Sequence, residues 1–482
     1  MKQYPPQKDI DRLAKYDTYE RLFMGNHRTA FRSKLEQYDP QFSGLDPKVR
    51  YVVLPYPRII STISADLLFE EQPKIVLKNQ RNQDFVDKLW YENSLWTTLY
   101  EEALVSSYKG DSVMRILAVD GQIKIDTVKP DVYFPVYNEN NVKSPVKEHV
   151  LAYKQTINDN LYLVVETYRV GEIETRVYEC KNNTIGGEYS SLDILGIEPI
   201  VKTNLGEGYN LIHHIKNWGM SGKFWGISDY EDLIDLFFAI NNRLSRNEHI
   251  LDKHGDPILA VPQGVLNSNG EVSRQKLGMI ELPSHPMNGE TSKPEYIVWD
   301  SKLESSFAQI DVLLEQLWIS SQMSPTLFGL TKYGVAESGR ALKYKLLRTL
   351  SLKHRKQMYW DNGIKSLIES AIEFARNNRL QADDKRPAQT EVPTIIWQDG
   401  IIMDELEILE NEKGKLDYEL TTKEDAIANI EGITRNEAIE KLERIQQELD
   451  AKNKANPFSM VNRGMSDNND EDEEDDDNGT ED

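Results

Sequence analysis

The fold is decided by the stretch GISDYEDLIDLFFAINNRLSRNEHILDKHG, residues 226–255. Its apolar residues recur three and four positions apart, which is the period of an amphipathic helix, at Tyr230, Leu233, Phe237, Ile240 and Leu244. A Ser-Asp pair near its start is a capping signal, and Gly255 supplies a stop. The stretch is therefore predicted to form one long helix with a single apolar face.

A second amphipathic helix is predicted for SKLESSFAQIDVLLEQLWISSQM, residues 301–323. Its apolar positions have the same spacing and are Leu303, Phe307, Ile310, Leu314 and Leu317. Between the two helices, residues 256–299 contain three short β-rich runs and a turn at NSNGE. The sequence thus predicts a rod-like helix pair with a small β knob at its far end.

Beyond Pro325 lies a glycine-punctuated loop, TLFGLTKYGVAESGRA, residues 326–341. A helix of about 40 residues, about 60 Å long at 1.5 Å per residue, is predicted to run from there to Asn378. We expect a kink or break in it at Gly363.

In the flanking segments, residues with a helical period are grouped together, and so are residues with a strand period. Helices are predicted at 9–37, 52–70 and 83–108, and strands at 112–119, 122–128, 132–137, 149–157, 161–170 and 174–180. Further on, we expect a strand at 392–398 and helices at 403–412 and 421–454, the last with a capping box at Thr421–Glu424. This blockwise grouping favours an α+β fold over an alternating parallel α/β fold.

The net charge of −22 is unevenly distributed. Eleven acidic residues and no basic ones follow Ser466, which leaves −11 for the rest of the chain. A like-charge block such as EDEEDDD (471–477) is typical of a disordered, solvated tail, and repulsion of DNA or contact with a basic partner is the functional alternative. With no secretory signal and no apolar run of about 18 residues, we expect a chain that stays in the cytoplasm and does not enter a membrane.

Sequence motifs for catalysis or metal binding are missing. The nearest phosphate-loop candidate, Gly219-Met-Ser-Gly222-Lys223, has the wrong spacing, and H-E-x-x-H and G-x-S-x-G do not occur. His213 and His214 would point to opposite sides of a strand, and the single Cys180, expected to be half-buried in a strand, excludes an internal disulfide and any zinc site built on several cysteines. We therefore expect no catalytic residue, no metal and no cofactor.

Basic residues do crowd one half of the long helix, from Arg340 to Lys356. They form either a solvated face or a surface that contacts DNA phosphates or an acidic face of an adjacent subunit. The candidates for the second interpretation are Arg340, Lys343, Arg348 and Lys353.

In the order of its elements the chain resembles the portal proteins of long-tailed bacteriophages. The resemblance covers some 450 residues and rests on YDTYERLFMGNH (16–27), LPYPRIISTISADLLFEEQPKIV (54–76), ALVSSYKGDSVMRILAVDGQIKIDTVKPDVYFPVY (103–137), the helix from 226, and FGLTKYGVAESGRALKYKLLRTL (328–350). It implies an α+β portal fold whose parts are a wing (1–225 and 340–402), stem helices (226–255 and 300–324), a β-rich clip (256–299), a tunnel loop (325–339), an α-helical crown (403–456) and a disordered acidic tail (457–482).

The resemblance also implies a function. The chain would form a homo-oligomeric ring, usually of twelve subunits, at one capsid vertex, through which double-stranded DNA is packaged and ejected. Implied partners are the terminase large subunit, head-completion or adaptor proteins, and the major capsid and scaffolding proteins, with the chain in the virion and, during assembly, in the host cytoplasm. The tunnel-loop residues facing DNA would be Leu330, Thr331, Lys332, Tyr333, Gly334 and Val335.

Two alternatives remain open at this stage. One is a packaging enzyme such as the terminase, against which the absent phosphate-binding loop argues. The other is a different structural head protein, which ring formation would discriminate from a portal.

Overall fold

The computed structural model describes residues 4–43, 50–157, 159–181, 184–206, 208–254, 258–262, 279–282, 295–297, 303–329, 339–380, 385–397, 405–433 and 435–455. The chain divides into two compact units. The first comprises Met1–Val335 and Lys343–Gly400, and the second comprises Ala336–Leu342 and Ile401–Asp482.

Helices make up most of the described chain. They are α1 (Ile10–Phe23), α2 (His27–Ala30), α3 (Arg32–Tyr38), α4 (Pro40–Ser43), α5 (Tyr56–Phe69), α6 (Gln80–Glu92), α7 (Leu95–Lys109), α8 (Ile234–His254), α9 (Leu303–Ser321), α10 (Gly339–Asn377), α11 (Glu405–Asp417), α12 (Lys423–Glu431) and α13 (Arg435–Ala455). No described helix combines the length and the apolarity that crossing a bilayer requires.

The strands form small, mostly antiparallel sheets. They are β1 (Lys74–Val76), β2 (Asp111–Val119), β3 (Gln122–Val128), β4 (His149–Ile157), β5 (Asn160–Arg169), β6 (Glu172–Lys181), β7 (Thr184–Glu188), β8 (Ile200–Lys202), β9 (Ile212–Lys216), β10 (Ile258–Pro262), β11 (Met279–Leu282), β12 (Glu295–Ile297) and β13 (Thr394–Ile396). Their orders are β3-β2-β9, β4-β5-β6-β7 with β8 added on β6, β11-β10-β12, and the pair β1-β13. The mixture of helix and separate sheets agrees with the predicted α+β class.

Two hydrophobic cores share α10. The larger core packs its second half, including Trp360 and Ile368, against α5 to α7 and the β3-β2-β9 sheet. The smaller core gathers α1 to α3, α8 and α9, and it includes Leu352 of α10. One helix therefore ties the N-terminal α+β part to the α8–α9 pair.

The predicted helix 83–108 is wrong, because two helices, α6 and α7, occupy this region. Asn93 ends the first: its side-chain amide donates to the Leu89 carbonyl at 2.9 Å, and its side-chain oxygen accepts from the Ile125 N–H at 3.0 Å. Ser94 then adopts a left-handed φ of 47°. The Asn93 side chain thus hydrogen-bonds the backbone of β3, and the helix ends there and does not continue into α7.

The predicted strand 132–137 is also wrong. Pro130–Val132 forms a 3₁₀ turn, and only isolated bridges follow, pairing Tyr133 with Leu151 and Val136 with Glu148. Pro135 lacks the N–H that a continuous ladder needs. Strands β7, β8 and β9 lie in a stretch for which no strand was predicted.

The long helix α10 closely matches its predicted span, but the predicted break at Gly363 is wrong. The helix continues through this residue. A Cβ added at Gly363 would lie 2.4 Å from Cδ1 of Ile215 in β9. The glycine therefore allows β9 to approach the helix closely.

The second unit contains α11, α12 and α13. The predicted helix 421–454 is wrong as a single element, because Gly432 ends α12 with a left-handed φ of 66°. The cap also lies one residue later than predicted: the Thr422 side chain accepts from the Asp425 N–H at 3.3 Å.

Candidate functional site

The α8–α9 pair is the feature that the sequence singled out. Helix α8 begins at Ile234, eight residues later than predicted, and the residues before it form turns. Ser228, predicted to cap the helix, instead donates to the Tyr108 carbonyl at 2.6 Å and accepts from the Tyr230 N–H at 3.0 Å. Ser228 therefore does not cap the helix; its side chain holds the segment before α8 against the end of α7.

The predicted packing residues of the two helices lie in different environments. Buried in the smaller core are Tyr230, Leu233, Phe237, Ile240 and Leu317, with Leu244 and Leu314 partly buried against it. Ile310 is buried, Leu303 is half-buried and Phe307 is 50% exposed. The core that holds the α8 residues also contains residues of α1 to α3. Helix α8 therefore packs both on α9 and on the N-terminal helices.

A buried ion pair lies where the chain enters α8. Lys356 of α10 is 1% exposed, and its ammonium group contacts the Asp229 carboxylate and the Ser64 hydroxyl. Asp229 also accepts from the Ser107 hydroxyl at 2.6 Å and from the Asn217 amide at 2.8 Å. Burial lowers the pKa of Lys356, and the neighbouring carboxylate opposes that effect.

The same junction is tied to α5 through Tyr230. Its hydroxyl donates to the Pro57 carbonyl at 2.6 Å and lies 2.7 Å from the Ser61 hydroxyl. Burial raises the pKa of Tyr230 well above its ordinary value, so the phenol is neutral. Hydrogen bonds and one ion pair thus join α5, α7, α8 and α10 at a single point.

The end of α9 is fastened to α10 by a second set of contacts. The Ser324 N–H donates to the Thr349 hydroxyl at 2.9 Å, and the Arg355 guanidinium donates to the Gln322 side-chain oxygen at 2.5 Å. The Trp318 and Phe328 rings are 4.1 Å apart between centroids. The segment that enters the predicted tunnel loop is therefore held against the helix that follows the loop.

The predicted tunnel-loop residues, from Leu330 to Val335, lie outside the described residues, as do the side chains of Arg340 and Lys343. Of the other candidate phosphate contacts, Arg348 is exposed, whereas Lys353 is 3% exposed. The structure therefore leaves only Arg348 of these two open to an outside partner.

The described basic residues of α10 do not form one solvated face. Lys353 and Lys356 point into the protein, Arg355 bonds to Gln322 and lies over the Trp218 ring, and His354 is exposed. The sequence did not reveal this division, because helical spacing alone does not tell which basic side chains meet an acid from a distant segment.

The two histidines of β9 have different hydrogen-bond partners, although both line one cavity. The His214 ring contacts Asp111 at 2.6 Å, whereas that of His213 contacts the Asn210 carbonyl at 2.9 Å. Burial lowers the pKa of His213 to about 4 and that of nearby His149 to about 3. Among the described residues, no group of three or more His, Cys, Asp or Glu side chains is arranged to hold a metal ion.

A family model described as "Phage portal protein, SPP1 Gp6-like" matches residues 5–455. The chain belongs to this phage portal family. The resemblance found in the sequence is thereby confirmed, and the family is one of structural proteins of the bacteriophage particle.

Comparison with solved structures gives one further similarity to this portal family chain. A chain from the "Virion of native gene transfer agent (GTA) particle" is 10% identical, with a TM-score of 0.41, over 87% of this portal chain and 94% of that chain. No curated protein sequence matches the chain.

Proposed function

We propose that the chain is one subunit of a ring, of twelve copies by analogy with the family it resembles, around a channel for double-stranded DNA. The observation that carries the proposal is the family match over residues 5–455. It is supported by the two long helices α8 and α9, which contact each other and are separated in the sequence by the strands of the β11-β10-β12 sheet. DNA would pass through the channel during packaging and ejection.

Within this proposal each part of the chain has an expected place. The stem is α8 and α9, the clip is the segment between them, and the wing comprises residues 1–225 with 340–402. The tunnel loop is 325–339, the crown is 403–456, and 457–482 is the acidic tail. The clip would dock the terminase large subunit and later the head-completion or adaptor protein, while the outer parts would meet the major capsid and scaffolding proteins.

The DNA contacts are proposed to come from Lys332 and Tyr333 in the tunnel loop. In a ring, one lysine per subunit becomes a circle of positive charge, and the acidic body of the protein limits how tightly phosphates are held. Arg348, which is exposed just beyond the loop, is a further proposed contact with phosphates or with the adjacent subunit.

The loop is tested by the double variant Lys332→Ala, Tyr333→Ala. We expect rings of normal size but impaired genome packaging or retention, measured as packaged DNA per particle. Arg81→Ala, which changes an exposed side chain on α6, is the matched control. Normal packaging by the double variant would refute the role of the loop.

The alternative of a packaging enzyme is tested by ATPase and nuclease assays of the purified chain, for which we expect no activity above background. The alternative of a different structural head protein is tested by assembly. Electron microscopy of the purified protein should show annular particles, whereas discrete monomers at every concentration would contradict the proposed function.

A further inference from the structure

Helix α9 has a second face, on the other side from its buried residues Ile310 and Leu317, and at its C-terminal end this face lines a groove with Lys345 and Arg348 of α10. Positions four, four, three and four apart bring five residues onto this side: Glu304, Ala308, Val312, Glu315 and Ile319. All five are exposed, Val312 by 55% and Ile319 by 66%. We call this set the outer stripe of α9. Val312 and Ile319 are two helical turns apart on this side, with Glu315 between them.

A groove runs along the other helix of the pair. It has a volume of about 210 Å³ and is lined by Phe238, Ala239, Asn242, Arg243 and Arg246 of α8 with Gln309 and Leu313 of α9. We call it the α8 groove. Its apolar lining residues are Phe238, Ala239 and Leu313, and its α8 side carries two arginines. A shallow groove of this composition suits an apolar side chain flanked by carboxylates.

Polar groups in the α8 groove are incompletely satisfied. The side-chain oxygen of Asn242 is buried and has no hydrogen-bond partner within the described chain. Arg246 pairs with Asp39 at 2.5 Å, but Arg243 has no carboxylate partner in the part of the chain that the structure describes. A partner with a hydrogen-bond donor would satisfy the buried oxygen of Asn242, and a partner with a carboxylate would pair with the guanidinium of Arg243.

The two surfaces have complementary charge. Between Leu303 and Ser321, α9 contains three acidic residues and no lysine or arginine. The α8 groove presents Arg243 and Arg246. The carboxylates of the outer stripe would repel DNA phosphates but attract Arg243, since Arg246 already pairs with Asp39.

We propose that the outer stripe of α9 in one subunit docks in the α8 groove of the next subunit. This inference rests on the proposed ring and specifies the contact that would build it. Because the stripe and the groove are different patches on one chain, each copy uses one patch on each neighbour, and such heterologous contacts close into a ring when the rotation between copies allows it. Val312 and Ile319 pack on the apolar lining residues, and Glu315 faces Arg243.

Charge reversal tests the pairing. Glu315→Arg and Arg243→Glu should each raise the concentration at which half of the protein is assembled by about tenfold or more, since like charges then meet at every contact. The double variant Glu315→Arg, Arg243→Glu restores opposite charges in every copy and should recover assembly to within about threefold of wild type. Assembly is measured by sedimentation velocity across a dilution series.

A second arm tests the apolar part of the contact. Val312→Asp should abolish assembly, while Val170→Asp, which changes a 51%-exposed valine in a surface turn, should leave it intact. Arg81→Glu on α6 is the matched control for the reversed arginine. A far-UV circular dichroism spectrum like that of the wild type shows that the subunit of each variant is itself folded, since thermal unfolding would also change when assembly is lost.

Three outcomes are decisive. Weakened single variants with a recovered double variant support the docking. Normal ring assembly by Val312→Asp and both reversals would overturn it and place the outer stripe elsewhere, for example along the channel, while leaving the proposed ring intact. A wild-type chain that never assembles would overturn the proposed function and the docking together.

Discussion

Replacing Lys356 with methionine removes the only cation that contacts Asp229 in the described structure. The lysine is 1% exposed, and the carboxylate would be left buried with two neutral donors, from Ser107 and Asn217. Loss of one partner from a buried pair typically costs about 3–5 kcal/mol, because the remaining charge stays uncompensated. We expect Lys356→Met to lower the free energy of unfolding by about that amount.

The assay is urea unfolding followed by tryptophan fluorescence. Trp360, one turn further along α10, is fully buried and should report the transition. Protein concentration is held fixed, because assembly stabilises the folded chain by mass action. Asp229→Asn and the double variant Lys356→Met, Asp229→Asn complete a double-mutant cycle. We expect the double variant to lose less free energy of unfolding than the two single variants together, by at least about 2 kcal/mol.

A second ion pair on the same helix provides the control. Lys365 and Asp361 are 2.6 Å apart, but their side chains are 31% and 25% exposed. Lys365→Met should therefore cost less than about 1 kcal/mol. If Lys356→Met cost no more than this control, or if the two changes in the buried pair were additive, the stabilising role of the pair would be refuted.

Two further predictions concern helix glycines and two buried histidines. Gly363→Ala should destabilise the protein by about 1–3 kcal/mol in urea unfolding, because its methyl group would lie 2.4 Å from Ile215. Gly414→Ala, in α11 where nothing lies within 4 Å, should instead stabilise its helix by about 0.5–1 kcal/mol, and equal effects of the two changes would contradict the packing argument. The second prediction follows from the depressed pKa values of His149 and His213, about 3 and about 4. In the unfolded chain these two histidines bind protons near pH 6.5, and in the folded chain they do not, so their contribution to stability is fully present above that pH. It should fall by about 1.4 kcal/mol per pH unit for each histidine as the pH drops from 6.5 towards 4. His149→Gln should remove about half of that dependence, measured by urea unfolding between pH 7 and pH 5, and an unchanged slope would count against its buried neutral state.

Elements with strong local periodicity could be predicted from the sequence. The spacing of Leu233, Phe237 and Ile240 indicated α8, and similar spacing indicated α9. The span of α10 was also predicted closely, because helical period is a property of neighbouring residues. The order of these elements carried the resemblance to phage portal proteins that the family match confirmed.

Contacts between distant segments could not be predicted in the same way. Asp229 had the position of a helix-capping acid, yet its partner Lys356 lies 127 residues further along the chain. Lys353 and Lys356 belonged to a run of basic residues that suggested an exposed face, and only the fold shows that both are buried. Gly363 suggested a break because glycine weakens helices, whereas its role depends on Ile215 in β9.

The central claim is that copies of this chain close around an axis. Electron microscopy of the purified wild-type protein, with sedimentation velocity on the same sample, measures this directly. The account predicts annular particles with a central hole and a mass about twelve times that of the chain. A monomer that persists at high concentration and in the presence of capsid and scaffolding proteins would contradict it.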